Sequence, residues 1–463
     1  DPQPETALTA LIGGSETATE VSTADKLTAA IADSNVSTVR LAGDISISST
    51  LTVNRAVTLD LNGYVLKYES ANKGSVIVVK DGGNLTLTDS NTTAVHKFTP
   101  DTNGLWVLDE ASGTETVTGG VITGGTGYPF PLTSSTVVYY GGGVYIASGG
   151  QLTMTGGNII GCSATYGGGV HIDGESGQFS MSGGSIAGCV ASNIGGGVRA
   201  SGKFQMSGPA VIRNCTVEST DQSISGGGVY VDGSSSFEMS DTAKIEGCQA
   251  ISTSAYGGGV YVSSSSSFVM TGEAIIKDCQ AISNSNSSKG GGVHLSNATT
   301  FTLLGNAVIQ NCKAVNSVDS GKAYGGGVSA TCVKGITLKD NARIAGCIAA
   351  NGSGLYITGS QNDSSFGQLY ANGGSVDGDV VLGDPTVGPG TITGTGETKF
   401  NGKVTVTTGS TIEKGTFNGE VINNGTITGG TFNGAVTNNG TITGGTFSGE
   451  ITGTPALATG SGT

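Results

Sequence analysis

The residues best equipped for chemistry in this chain are two aspartates, Asp173 and Asp232, with His171, Arg199 and Tyr230 close by in a repeating frame. Each aspartate stands three residues after the Val of a Gly-Gly-Gly-Val phrase, and Ser201 fills that slot in the phrase between them. If successive phrases lie on strands paired at ~4.8 Å, the two carboxyl groups are two steps, ~10 Å, apart. That approaches the roughly 6.5–9.5 Å between the acid and base of an inverting glycosidase, which must leave room for a water. His171, Asp173, Arg199 and Asp232 are therefore the candidate catalytic set for cleavage of a polysaccharide. A plainer reading competes with it. Both aspartates precede Gly, as do Ser201 in the same slot and Ser148 in the corresponding turn of its coil, and Asp-Gly or Ser-Gly is ordinary turn chemistry. Turns account for all four positions, so catalysis is the less favoured reading.

A second candidate is the column formed by the residue after each Val or its Leu355 equivalent: Tyr145, His171, Arg199, Tyr230, Tyr261, His294, Ser329 and Tyr356. With Val pointing inward on a strand, this neighbour points outward. Tyr140, Tyr166, Tyr256 and Tyr324 stand just ahead of the Gly blocks, so eight of the 13 tyrosines flank one strand ladder. Aromatic rings suit the apolar faces of sugars, and their hydroxyls can pair with sugar hydroxyls. These residues form a candidate ligand-binding face for a polysaccharide or another cell-surface ligand, glycan or protein. Tyrosines stacking as good strand residues would produce the same pattern. The Gly runs are expected to turn a tight corner and leave a bare shelf beside the rings. They are followed neither by a helix nor by Lys-Ser/Thr, so a phosphate-binding loop has no donors or cation in place.

What must position these residues is an internal repeat. The Gly-Gly-Gly-Val phrase recurs from Val144 to Val328, with a weaker copy at Leu355, at spacings of 26 to 35 residues. A second phrase follows in each unit, from Leu152-Thr-Met154 through Phe179-Ser-Met181 to Ile336-Thr-Leu338. A third runs from Ile159 to Cys162 and recurs as far as Ile344 to Cys347, always with Gly, Asn or Asp before the Cys. Those three residue types tolerate a left-handed backbone, and the resulting bend lets Ile and Cys both face inward. Each unit is then three short strands and three turns, which cannot bury its own apolar face and must stack on its neighbours. The expected fold is all-β, a parallel β-solenoid with three strands per coil. Seven of the eight Cys share one inward column at ~4.8 Å spacing, wider than the ~3.8 Å Cβ separation of a disulfide. They are expected to be reduced thiols acting as small hydrophobes, with Cys332 outside the column. No Cys-x-x-Cys pair exists, so no metal and no cofactor is expected.

On these phrases the chain resembles the right-handed parallel β-helix of the pectin-lyase-like kind, and the bacterial surface proteins that use it, over about residues 20–450. Gly-Gly-Gly-Val is similar to the Gly-Gly-Ala-Ile repeats of chlamydial polymorphic outer-membrane adhesins, with Phe-x-Met here in place of their Phe-x-x-Asn. The resemblance implies an adhesin-like protein, secreted or displayed on a bacterial surface. A polysaccharide lyase or glycoside hydrolase, and a purely structural display stalk, are the alternatives. The clustered Asp pairs, Gly-His-Gly and Arg-x-Lys phrases of the polygalacturonase branch are missing from the chain, as is a pectate-lyase Ca²⁺ cluster, so the fold by itself carries no activity.

Composition agrees with a repetitive extracellular rod. Of 463 residues 81 are Gly, only 12% are charged, and the net charge is −14. An acidic surface repels nucleic acid and anionic lipid, and no run approaches the roughly 18 apolar residues of a membrane span. Residues 1–20 read as a leader or linker; without an initiator Met or an apolar signal segment, a mature or trimmed form is expected. Ser22 to Asp25, followed by Leu27, Ala30 and Ile31, predicts a short capping helix over 23–33 that plugs the open end of the solenoid. That helix, the first coils and an irregular insertion over 93–140 with Trp106 make a region 21–140. The main repeat follows over 141–360. Slimmer coils built on Gly-Thr-Phe, at Phe417, Phe432 and Phe447, occupy 361–455, and 456–463 is a tail.

Overall fold

The computed structural model describes residues 18–133, 135–220 and 223–453. The 456–463 tail and most of the 1–20 leader lie outside them, but Thr19–Val21 already forms a strand paired in parallel with Thr38–Leu41. From there the chain winds as one parallel solenoid. Val144, Val170, Val198, Val229, Val260, Val293, Val328 and Leu355 pair in register, coil on coil. The column starts at Leu51 and Ile77 and continues through Val380, Val404, Val421 and Val436 to Ile451. A second column carries Phe179, Phe204, Phe237, Phe268 and Phe301, whose rings stack at 4.8–5.0 Å. The third carries Ile159 to Ile344. All three columns are buried in one continuous core.

The left-handed residue ahead of each column Cys is present in every unit: Gly161, Gly188, Asn214, Gly247, Asp278, Asn311 and Gly346 all have φ between 50 and 63°. Each column Cys is buried, and its Sγ lies 3.2–3.6 Å from the carbonyl two residues back. Burial pushes the Cys248, Cys279 and Cys312 thiols well above their usual range, so they stay protonated and serve as packing groups. Cys332 sits apart at a left-handed bend and donates to the Gly359 carbonyl at 3.2 Å.

The three glycines of each block have three separate jobs. The first is left-handed and turns the corner. At the second, a Cβ would strike backbone of the adjacent coil; at Gly227 it would meet Gly258 and Gln249. At the third, it would press on the Ile Cγ2 and Cys Sγ of the core. The block is buried, so the bare shelf expected beside the rings does not form.

Coil length varies chiefly in one place. Between the Cys and the next Gly block lie four residues at 163–166, ten at 280–289 and twelve at 313–324. This segment forms a fourth strand outside the expected three-strand ring, in a separate ten-stranded sheet that includes Ser163–Tyr166, Gln249–Tyr256 and Gln280–Lys289. It has a small core of its own, with Ala191, Val217, Ile224, Ala250, Ala255 and Ala281.

The irregular region 93–140 resolves into two antiparallel additions with the coil strand Val121–Thr123 between them. In the first, Val95–Pro100 is flanked by Trp106–Leu108 and Glu115–Thr118. It packs on the outside of the Ile column, where Phe98, Trp106 and Val117 meet Val65, Val121, Ile160 and Ala187. A side chain at Gly188 would occupy the Trp106 ring, and one at Gly161 would strike the Trp106 carbonyl. Asn or Asp suffices at this slot in three other coils; at Gly161 and Gly188 only Gly fits. The second addition is the hairpin of Tyr128–Pro131 and Val137–Tyr140.

At the N-terminal end, helix Ala24–Ala32 buries Leu27, Ala30 and Ile31 on the first coils, and Thr23 caps it. Arg55 donates to the carbonyls of Ala30 and Ile31 at 3.0 and 2.8 Å, satisfying acceptors that a helix end leaves open. Toward the C-terminus the repeat is one 15-residue coil, since Phe417, Ile427 and Val421 pair with Phe432, Ile442 and Val436. Phe now occupies the former Ile column, and its rings again stack at 4.7–5.0 Å.

Gly227→Ala is expected to cost about 3 kcal/mol or more, because backbone rather than a movable side chain blocks the new methyl; urea unfolding would measure it. Gly188→Asn keeps a residue that tolerates φ 55° but evicts Trp106. Its expected signature is a red-shifted emission of the single Trp with the far-UV spectrum retained, and unshifted emission would refute this packing.

Candidate functional site

The outward column beside the Val strands is less open than its alternation suggests. Tyr145, His171, His294, Ser329 and Tyr356 are buried, while Arg199, Tyr230 and Tyr261 are half-buried. The cause is the fourth strand, which runs out past the coil and brings its last residue over the column. Tyr140 stacks on His171 at 4.3 Å and Tyr256 on His294 at 5.4 Å. Ring faces are largely taken by other rings, Tyr128 on Tyr145 and Tyr230 on Tyr261, both at 5.0 Å. Tyr324 packs against Tyr356 at 4.9 Å.

Hydroxyls of this column are bonded forward to the turn of the next coil. Tyr145 donates to Asp173 at 3.0 Å, Tyr261 pairs with Ser296 at 2.9 Å, and Tyr356 donates to Asp384 at 2.7 Å. Burial, with the neighbouring carboxylates, raises the Tyr145 and Tyr356 phenols, and Tyr230 is pushed up to about 12. Sequence reasoning missed Asp384, which sits four rather than three residues after its Val, and Tyr128, which lies in a stretch without a repeat frame.

The four catalytic candidates come together in one cluster. Arg199 donates to Asp232 at 3.2 Å and to His171 Nε2 at 3.1 Å, and Ser201 donates to Asp232 at 2.7 Å. Since the guanidinium can only donate, His171 Nε2 accepts. Its proton is then on Nδ1, which is buried with no partner among the described residues. Burial lowers His171 to about 4, opposed by Asp173 and reinforced by Arg199. Asp173 Oδ1 is 4.0 Å from Nε2, and the carboxylate takes the Tyr145 hydroxyl through its other oxygen. A histidine whose lone pair faces an arginine is not a free base, and an aspartate held by Arg199 and Ser201 is not a free acid. His294 is lowered to about 3 by burial first, then by Lys289. Tyr166 remains half-buried at the edge, with the Arg199 guanidinium 5.6 Å from its ring centre.

Two depressed imidazoles make stability depend on pH. An unfolded His titrates near 6.5, so below that pH the unfolded chain takes up protons that His171 and His294 refuse until about 4 and about 3. Stability is full above pH 6.5 and falls as pH drops toward the folded values. Between pH 7 and pH 4.5 each is expected to cost about 2–3 kcal/mol in urea unfolding. His294→Phe should recover about half of that loss; an unchanged loss would mean the buried imidazoles do not set it.

Among known families, residues 119–308 match the model of the right-handed β-helix region. Residues 18–118 match that of a pectate lyase-like adhesive domain. No curated protein and no solved structure matches the chain. Among the described residues no helix is long and apolar enough to cross a membrane. The stacked registers and the two family matches together make this chain a right-handed parallel β-helix protein.

Proposed function

We propose that this β-helix is an adhesive protein of the cell surface or extracellular space that holds an extended ligand, a polysaccharide or cell-surface glycan, along the rim of the fourth-strand sheet. The observation that carries the reading is the fate of the acid–base candidates. Asp232, Arg199 and His171 are spent on one another, whereas a row of half-buried groups follows the rim from coil to coil. Tyr140, Tyr166, Tyr256 and Tyr324 share its register, and Arg199, Tyr230 and Tyr261 lie beside them. Ligand contacts would use ring edges and hydroxyls more than ring faces. The match of residues 18–118 to an adhesive domain supports the same reading.

The test is binding of the intact chain to a panel of plant and mucosal glycans beside Tyr166→Ala with Tyr324→Ala. Saturable binding weakened about tenfold or more in the variant, at unchanged thermal stability, is the expected result. Equal affinity would remove the rim from the function. Release of new sugar ends that disappears in Asp173→Asn would instead make the protein a polysaccharide-cleaving enzyme.

A further inference from the structure

A cleft of about 220 Å³ opens on the other side of the fourth-strand sheet, lined by Lys73, Thr126, Tyr139, Ser163, Thr165 and Ser192. Alternation along a strand puts Tyr139 and Thr165 on the face opposite Tyr140 and Tyr166, so this cleft is separate from the aromatic rim. Its chemistry is unusual for this chain. The protein has 35 acidic residues against 21 basic, yet no carboxylate lines the cleft. Polar clefts elsewhere on the coils contain Glu175 or Glu238. The Lys73 ammonium lies 4.4 Å from the centre of the Tyr139 ring, a contact that holds the charge in place without neutralising it.

The hydroxyls around it are set to donate. Thr126 Oγ1 accepts the Gly74 amide and Thr165 Oγ1 accepts the Tyr139 amide, both at 3.1 Å. Each spends one of its two lone pairs on that amide and has its hydrogen left to give. Ser163 and Ser192 add two more hydroxyls at the mouth, half-buried and exposed respectively. One ammonium and several hydroxyls, with no carboxylate side chain among the described lining residues, suit an oxyanion. A planar carboxylate is matched best by the fork of an arginine, whereas a point charge ringed by separate hydroxyls suits the three terminal oxygens of a sulfate ester.

We propose that this cleft binds a sulfate ester on a sugar, with Lys73 supplying the charge and Thr126, Ser163, Thr165 and Ser192 the hydrogen bonds. It is a second site, independent of the aromatic rim.

The test is calorimetric titration of the full chain with a κ-carrageenan tetrasaccharide, its desulfated counterpart and a trigalacturonate. Lys73→Met keeps the aliphatic stem and removes the charge. Lys80→Met is the control, because Lys80 lies over Tyr128 and does not line the cleft. The sulfated sugar should bind wild type and Lys80→Met alike, and at least tenfold more weakly to Lys73→Met. The desulfated sugar and the uronate should bind wild type at least tenfold more weakly than the sulfated one. The rim variant Tyr166→Ala with Tyr324→Ala should bind the sulfated sugar as wild type does, which separates failure of this site from failure of the rim. Preference for the uronate, indifference to sulfate, indifference to Lys73→Met, or no binding of the sulfated sugar would each overturn the proposal.

Discussion

Every side chain in the coils has to tolerate a near-copy of its surroundings about 4.8 Å above and below, because the backbone hydrogen bonds of a parallel ladder fix that distance. Apolar groups meet the condition by repetition. Phe rings at 4.7–5.0 Å in two ladders gain face contacts on both sides, and the Cys column packs as small apolar groups of one size. The same distance decides where no side chain is possible. At the second glycine of each block the backbone of the next coil already occupies the space a Cβ needs, so the Gly triplet is a steric requirement of the corner and leaves no open shelf for ligands.

That constraint explains what could be read from the chain alone. Wherever a residue repeats in register, its type reports its environment: Val, Phe and Ile mark the three core columns, and the residue before Cys marks the left-handed bend found at all seven positions. The helix expected over 23–33 is Ala24–Ala32, because capping and apolar spacing are local signals. The candidate site was legible as a set of residues but not as a surface. Alternation correctly sent Tyr145 and His171 out of the core, and could not indicate that Tyr140 and Tyr128 would lie over them. The covering elements are the fourth strand, whose length changes from coil to coil, and a hairpin with no repeat. Neither leaves a periodic trace.

Where the outward column departs from uniform aromatics, the departures are compensated between coils. Tyr145 leans on Asp173, Arg199 on Asp232, and Tyr261 on Ser296, each one coil forward. The outward face is thus bolted along the axis from coil to coil, with Arg199 also reaching back to His171, and its polar groups are mostly committed to the fold. Open surface on this face is kept at the rim, where Tyr166, Tyr256 and Tyr324 are only half-buried.

The same logic accounts for the pair of aspartates that resembles a glycosidase site. Their slot reads Ala147, Asp173, Ser201, Asp232, Ser263, Ser296 and Thr331 in successive coils. Two carboxylates in adjacent coils would repel by about 3–4 kcal/mol at 4.8 Å and an effective dielectric constant of 20, so aspartates in this column are stable only with a neutral coil between them. Ser201 is that coil, and it donates to Asp232 as well. Arg199, one residue off the column, neutralises Asp232 and caps His171. A two-coil carboxylate spacing therefore follows from column electrostatics before any catalytic requirement is imposed. In a solenoid, such a spacing becomes evidence for catalysis only where the carboxylates are left unpaired, and Asp232 is paired.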